Sequence, residues 1–423
     1  MKLNINKLRN SKVVKHSLGY TALNFIEKLL PFLILPILTR VLSKEEVGLF
    51  VLYQTLVEVL MPIVTLSIDN SILINYYKLT SKEFSKYFSN SFLLVLILFF
   101  LVWFVIFCFS KPLGNIIGFP PNWLIIICFL ILFRYFTNLR QSLWRIEYKI
   151  KSYGLFTISL SIIGNVSGLI LVLLFNYGWE GILIGHLFSY SIFGIYSIKT
   201  FIKSQILKVT ESFVYVKSIL TISFPIALHR LGIWLGSAAN KIIISSIIGV
   251  IATGSYGVGV TLATIITVLE DAISKAIVPH IYEKLKDPNS ENNRNIVKMS
   301  YGIYAILIIV SLTVYLGGYF GVELIFGQDY SDVKLFLFPL ILAAMFKGFY
   351  KLHVNYIFFT SRTIEVTKIT FMTGLLNIFL SYILVVNFGI IGACYSLLVI
   401  NFIQYILSFY IGNKLIPMPW LKF

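Results

Sequence analysis

The sequence predicts an all-α polytopic membrane protein: twelve transmembrane helices in two pseudo-symmetric six-helix bundles around a central cleft. Three observations lead there. Apolar runs of membrane-crossing length recur along all 423 residues, which are 58% hydrophobic and only 13% charged. A hydrocarbon layer about 30 Å thick asks for helical runs of roughly 20 residues, which is the spacing found. Basic residues gather in every second connection, and the two halves carry matching segments in matching places.

The apolar runs centre near residues 29, 58, 98, 130, 164, 191, 228, 262, 310, 346, 375 and 401. The first 16 residues are basic and polar, and the run that follows has no small-residue cleavage site. Span one is therefore expected to insert and remain, not to be removed as a signal peptide. Spans one to six make a first bundle over 17–203, 204–216 is a linker, spans seven to twelve fill 217–411, and 412–423 is a tail. The longest connection runs from about Lys275 to Lys298, which leaves no room for a soluble domain. Cys108, Cys128 and Cys394 stand apart in apolar runs, without CxxC or zinc spacing, and read as structural thiols.

The net charge of +17 invites a nucleic-acid reading, but its distribution excludes one. With the amino terminus and every second connection placed on one side, that side holds 25 of the 35 Lys and Arg residues and the other side 5. Such a bias sets topology and puts both termini in the cytoplasm.

The repeat is read from two alignments. Residues 48–79 lie against 254–285 at an offset of 206 without a gap, sharing glycine, Thr-Leu, tyrosine and Lys-Leu positions. NYGWEG (176–181) lies against NFGIIG (387–392) at an offset of 211, each in the tight turn before the last span of its half. Six spans per half is an even number, so both halves enter the bilayer in the same direction.

The remaining five cations fall inside spans: Lys28, Arg134, Arg230, Lys347 and Lys351. An arginine at the centre of a lone helix costs about 2.5–3.5 kcal/mol on insertion scales. Glu27-Lys28 corresponds to His229-Arg230, and Arg134 to Lys347, where FRYF aligns with FKGF. Polar stripes at helical spacing accompany them: Thr21, Asn24 and Lys28 on span one; Arg230, Trp234, Ser237 and Lys241 on span seven; Lys347, Tyr350, Lys351 and Asn355 on span ten. Stripes of this kind are expected to face a bundle interior or a wet cavity. His186 and His353 read as satisfied interior histidines.

The acids lie elsewhere. Glu270, Asp271 and Lys275 sit low in span eight, where Asp271 and Lys275 are spaced to pair, and Asp69 occupies the repeat-related end of span two. They are candidates for an inner gate or a site for a coupling ion (H⁺ or Na⁺), against the plainer reading of solvated helix ends. Glu58 lies deeper, without an assigned role. Midplane cations with few matched acids suit an anion, and an anion joined to a lipid fits both the charge and the membrane.

LPFLILPILTRVLSKEEVGLF (30–50), the proline of SFPIALH, GSYGVGV, VPHIY, FGQDY (326–330) and NFGIIGA (387–393) resemble, in order, landmarks of the polysaccharide transporters. These are Wzx-type flippases of the multidrug/oligosaccharidyl-lipid/polysaccharide exporter superfamily. The resemblance covers nearly the whole chain. It implies two six-helix bundles working by alternating access in the bacterial inner membrane. Undecaprenyl-diphosphate-linked repeat units of the O-antigen or capsule type would be carried to the outer leaflet. On that likeness Lys28, Arg230, Lys347 and Lys351, with Arg134, would hold the diphosphate or acidic sugars. Trp234, Tyr350 and Asn24 would face sugar, and Glu27 would join Asp69 and the span-eight acids at a gate. The implied partners are the lipid-linked oligosaccharide, membrane lipid, and the polymerase and chain-length regulator of the same pathway; no cofactor is implied. Where relatives often have Asp-Arg at the end of span seven, this chain has Asn240-Lys241, which puts an ion-pair gate there in doubt. Relatives also often carry glycine near the end of span two, where this chain reads Ser67-Ile68-Asp69-Asn70.

Rival readings are weaker. A multidrug antiporter is expected to place unpaired carboxylates in its cleft, and lipid II flippases usually carry fourteen spans. An integral-membrane polymerase needs a sizeable extracytoplasmic loop, whereas the longest such connection here, near 320–334, has about 15 residues and neither arginine nor histidine. No nucleophile–base, paired-carboxylate or metal spacing was found, so a non-enzyme is expected.

Overall fold

The computed structural model describes residues 32–208, 213–236, 238–286 and 289–421. Span one up to residue 31, with Asn24, Glu27 and Lys28, lies outside the described residues. The helices are α1 (Phe32–Val41), α2 (Lys44–Thr65), α3 (Ile68–Asn75), α4 (Ser81–Ile117), α5 (Pro121–Ile146), α6 (Ile150–Leu173) and α7 (Gly178–Lys203). They continue as α8 (Val216–Leu235), α9 (Ala239–Ile247), α10 (Val250–Lys286), α11 (Ser290–Phe326), α12 (Leu337–Phe359) and α13 (Thr363–Leu415), with a 3₁₀ segment at Gln328–Leu335.

Among the described residues ten helices are long and apolar enough to cross a bilayer. The longest of them, α13, has 53 residues and reverses at Gly389 (φ 62°, ψ −143°), so it is two spans. With α1 as the end of span one, the twelve predicted spans are accounted for. Helices are the only open-chain element that satisfies its own backbone in hydrocarbon.

The reversals fall where the repeat places them. Gly389 takes a φ that a side chain would strain, and a Cβ on Gly392 would lie 2.0 Å from the Leu384 carbonyl oxygen. The matching turn in the first half bends at Asn176 and Gly178, both with φ of 57°. The third span of each half has 37 residues, α4 and α11, and each starts at a side-chain cap. Thr80 and Glu83 form a reciprocal capping box before α4, and Asn289 accepts from the Asn292 N–H before α11. At 1.5 Å per residue, 37 residues exceed the hydrocarbon thickness by some 25 Å.

The chain forms two compact units. One is built on Leu52–Arg230, and the other on Leu35–Val51 with Leu231–Phe423. The division does not follow the predicted boundary: α2 and α8 each contribute to both. Close backbone packing explains why the start of α2 belongs with the second unit. A Cβ on Gly48 would meet the Val250 carbonyl oxygen at 2.1 Å, and one on Gly254 the Lys44 carbonyl oxygen at 2.7 Å. Small residues let helices approach this closely, and dispersion contacts then hold them without a hydrophobic drive. Lys44 also pairs with Asp332 at 3.1 Å, and Arg40 donates to the Leu324 carbonyl, which pins the α1–α2 turn to the end of α11 and its 3₁₀ segment.

In the first unit α6 packs on α7, and α5 on both α4 and α7. Ile68, Phe84, Phe88, Tyr135, Phe136 and Phe201 centre its core. In the second unit α12 packs on α13 and α10. Its tail folds back: Tyr301 Oη donates to the Trp420 carbonyl, the Trp420 indole N–H donates to Asn413, and the indole packs on His353 and Phe409.

Two predicted spans are broken. Span two ends at Leu66 and Ser67, consecutive non-glycine residues with φ of 44° and 54°. Left-handed backbone of this kind costs on the order of 1 kcal/mol per residue. Span seven divides into α8 and α9 on either side of Gly236 and Ala238. There Asn240 is fully buried: its amide donates to the Ala393 carbonyl and Ser396 Oγ, and its oxygen accepts from Asn377. Asn377 also donates to the Leu235 carbonyl that the break sets free. The Asn240 position is thus a strut for the break.

Candidate functional site

In the first unit the interior charges gather at the broken end of span two. Arg230, five residues from the end of α8, donates from Nη2 to Asp69 Oδ2 at 3.3 Å. Asp69 occupies the first turn of α3, just after the strained pair, and also accepts from Asn70 at 3.4 Å. The contact is to one carboxylate oxygen and both partners are part-open, at 39% and 19% exposure. An arginine offers five N–H donors. Among the described residues Arg230 uses one of them. Ser67 Oγ and Tyr135 Oη are buried without hydrogen-bond partners among the described residues.

Elsewhere in the same unit, Arg134 of α5 lies over the Tyr190 ring at 5.8 Å. A part-buried polar chain runs from Tyr53 through His186 to Asn165, at 2.9 and 3.3 Å. Asn165 donates its amide to the Ser161 carbonyl, which turns its oxygen to the imidazole. His186 Nε2 therefore carries the proton and Nδ1 accepts from Tyr53. The second interior histidine, His353, is bonded to Tyr304. Both are satisfied interior histidines, as expected. Tyr53 as the partner was missed, since a tyrosine in an apolar run carries no signal of direction.

In the second unit Lys351 of α12 reaches Glu270 and Asp271 of α10, each at 2.5 Å. Ser274, one turn further along α10, donates to the other oxygen of Glu270 at 2.6 Å. Glu270 is 3% exposed, while Lys351 and Asp271 are part-open at 32% and 33%. A small cavity beside it is lined by Glu270, Ser274, Ile281, Ile303, Gly348 and Leu352. The spacing pointed Asp271 to Lys275, but the structure gives it Lys351 instead, while Lys275 is exposed. An i, i+4 partner on a helix surface competes poorly with one that arrives from a packed neighbour.

Two expectations need correction. The cations were read as having few matched acids, yet Arg230 and Lys351 both have carboxylate partners. Tyr350, a sugar-facing candidate, is 9% exposed and packs with Val354, Ile357, Val366 and Ile369. The stripe drawn through Lys347, Tyr350 and Lys351 was too wide: Tyr350 is a 100° step from Lys351, which turns it into the core. Lys347, Lys351 and Asn355 do form a part-open line on a helix otherwise mostly buried. Trp234 is half-buried, and its indole N–H has no partner among the described residues. The candidates Asn24, Glu27 and Lys28 lie outside the described residues.

Residues 13–285 match the sequence profile of the family described as polysaccharide biosynthesis protein, well over half of the chain. The chain belongs to that family. Proteins of similar sequence include a protein of the Lsg locus of Haemophilus influenzae, 22% identical over 376 residues, covering 87% of this chain and 90% of that one. The capsular polysaccharide biosynthesis protein CapF of Staphylococcus aureus is 23% identical over 420 residues, covering 93% and 97%. Among solved structures, an inward-facing multidrug-resistance MATE transporter of the MOP superfamily superposes with a TM-score of 0.74 at 15% identity, covering 92% of this chain and 94% of that one. The lipid II flippase MurJ in an inward closed conformation gives 0.72 at 14% identity, covering 94% and 87%. At such identities the likeness establishes a shared fold. This member of the family is therefore a multi-pass membrane protein with the fold of MATE and MurJ proteins.

Proposed function

We propose that the protein is a flippase for lipid-linked oligosaccharide, moving undecaprenyl-diphosphate-linked repeat units from the inner to the outer leaflet by alternating access. The observation that carries this reading is Arg230: a part-open guanidinium within a membrane helix, with four of its five N–H donors unclaimed among the described residues. A diphosphate takes such a planar fork in two parallel hydrogen bonds, stronger than neutral ones. Arg134 in the first unit and Lys347 in the second are further cations within spans, where an arginine or lysine otherwise has no place. Membership of a polysaccharide biosynthesis family, and a relative named for capsular polysaccharide, support sugar-bearing cargo of the O-antigen or capsule class. The charge bias supports a bacterial cytoplasmic membrane with both termini inside. The chain would itself catalyse no bond change, and would hand cargo to the pathway's polymerase.

The test is complementation of a deletion strain with wild type, Arg230→Ala, Arg230→Lys and Lys347→Ala at matched membrane levels. Arg230→Ala should abolish surface polymer and leave lipid-linked units on the inner side, with partial function in Arg230→Lys. Normal export by every variant would remove the anion site. A deletion strain that still moves units outward, yet fails to lengthen them, would point to a polymerase.

A second reading, export of organic cations, draws on Glu58. This carboxylate is exposed part-way along α2 and has no ion partner among the described residues. Ethidium efflux that depends on Glu58 and not on Arg230 would favour it.

A further inference from the structure

We propose that Asp69 is a built-in competitor for the anionic cargo: a diphosphate group takes Arg230 away from Asp69, and α3, cut loose from its ion pair, then resets from the strained break before it. This rests on the reading of Arg230 as a site for the cargo's diphosphate and adds how binding there is turned into movement.

Four observations converge. The Asp69–Arg230 contact is single and long, 3.3 Å between one guanidinium nitrogen and one carboxylate oxygen, with both groups part-open. A diphosphate carries more charge and can engage two donors at once, so it outcompetes a lone carboxylate for the same nitrogen. Asp69 is carried on an eight-residue helix that follows two left-handed non-glycine residues, Leu66 and Ser67. Such backbone persists only while its surroundings hold it, and clusters at switches.

The fourth observation is where the released carboxylate goes. Tyr135 lies within electrostatic reach of Asp69, and its hydroxyl is buried with no partner among the described residues. Ser67 Oγ, at the break itself, is buried and also has no partner among the described residues. Ten buried hydroxyls lack partners among the described residues, and these two are set apart by their place, one at the break and one within reach of the Asp69 charge. Here they are donors held ready for Asp69 once Arg230 has turned to the cargo. The exchange conserves interactions: the guanidinium trades a carboxylate for a diphosphate, and the carboxylate trades a guanidinium for hydroxyls. It therefore avoids leaving a bare charge in the membrane at either stage.

The experiment uses the full chain in lipid nanodiscs, with geranylgeranyl diphosphate as probe and inorganic diphosphate as the lipid-free arm. An environment-sensitive fluorophore is placed on α3 through Ile74→Cys, an exposed position, with the exposed Cys108 replaced by Ala. The wild-type reporter should shift on saturation with the prenyl diphosphate. Asp69→Asn should bind it about fivefold or more tightly, the size of one lost competing ion pair. Its reporter should also start in the bound-like state and no longer respond. Asp69→Ser replaces it if Asn does not yield folded protein. Tyr135→Phe should shrink the reporter shift. If Arg230→Ala loses affinity but Asp69→Asn binds no tighter than wild type, the competitor is overturned while the anion site stands. If Arg230→Ala binds as wild type does, the anion site itself falls, and the competitor with it. A response to inorganic diphosphate as strong as to the prenyl form assigns the site to a free anion and overturns the role in lipid-linked cargo.

Discussion

Arg230 and Lys351 are both cations inside membrane-crossing helices, and both have carboxylate partners, but the two arrangements differ in kind. Arg230 makes one contact at 3.3 Å to a single oxygen and is 39% exposed. Lys351, at 32% nearly as open, makes two contacts at 2.5 Å, and Glu270, one of its partners, is 3% exposed and held again by Ser274. Attraction between charges grows as water withdraws, and so does the cost of breaking a pair. The Lys351 triad therefore behaves as part of the framework of its unit, while the Arg230 pair is open to exchange. Of the cations singled out for binding, the one in the weaker pair is the better candidate to meet cargo.

The largest expected consequence of that contrast is in stability. Lys351→Met leaves two carboxylates facing each other and should cost about 3 kcal/mol, read as a lower midpoint in thermal unfolding of the detergent-solubilised protein. Adding Glu270→Gln and Asp271→Asn should restore much of the loss, because the stranded charges go too. A smaller effect, about 1 kcal/mol, is expected for Ser274→Ala, which removes one hydrogen bond to a charged group that keeps its other partner. The smallest is Asp69→Asn in the first unit, under about 1 kcal/mol by the same measurement. If Asp69→Asn were as damaging as Lys351→Met, the two pairs would be alike and the contrast would fail.

Much of this architecture was legible in the sequence because the bilayer imposes it. Span length, the lysine and arginine bias, and turns such as NYGWEG and NFGIIG are local properties, and each needs only a few neighbouring residues. The breaks in spans two and seven were not legible. Ser67 and Leu66 are ordinary residues in unusual backbone, and the strut at Asn240 depends on Asn377, Ala393 and Ser396, all more than a hundred residues away. Partner choice was hidden for the same reason: Asp69 lies 161 positions from Arg230, and Glu270 lies 81 from Lys351. Periodicity names the face a charge occupies, but the neighbouring helix decides what meets it. The departure from glycine near Ser67 was visible, though not its result, a left-handed turn made at a cost by residues that do not favour it.

The folded-back tail gives the protein an optical reporter of its own. Trp420 is packed against the imidazole of His353 and the ring of Phe409, with its indole N–H engaged by Asn413. An indole so packed emits at shorter wavelength than one in water, so with the other five tryptophans replaced by Phe a red shift would register the tail lifting from α11 and α12 without any label attached.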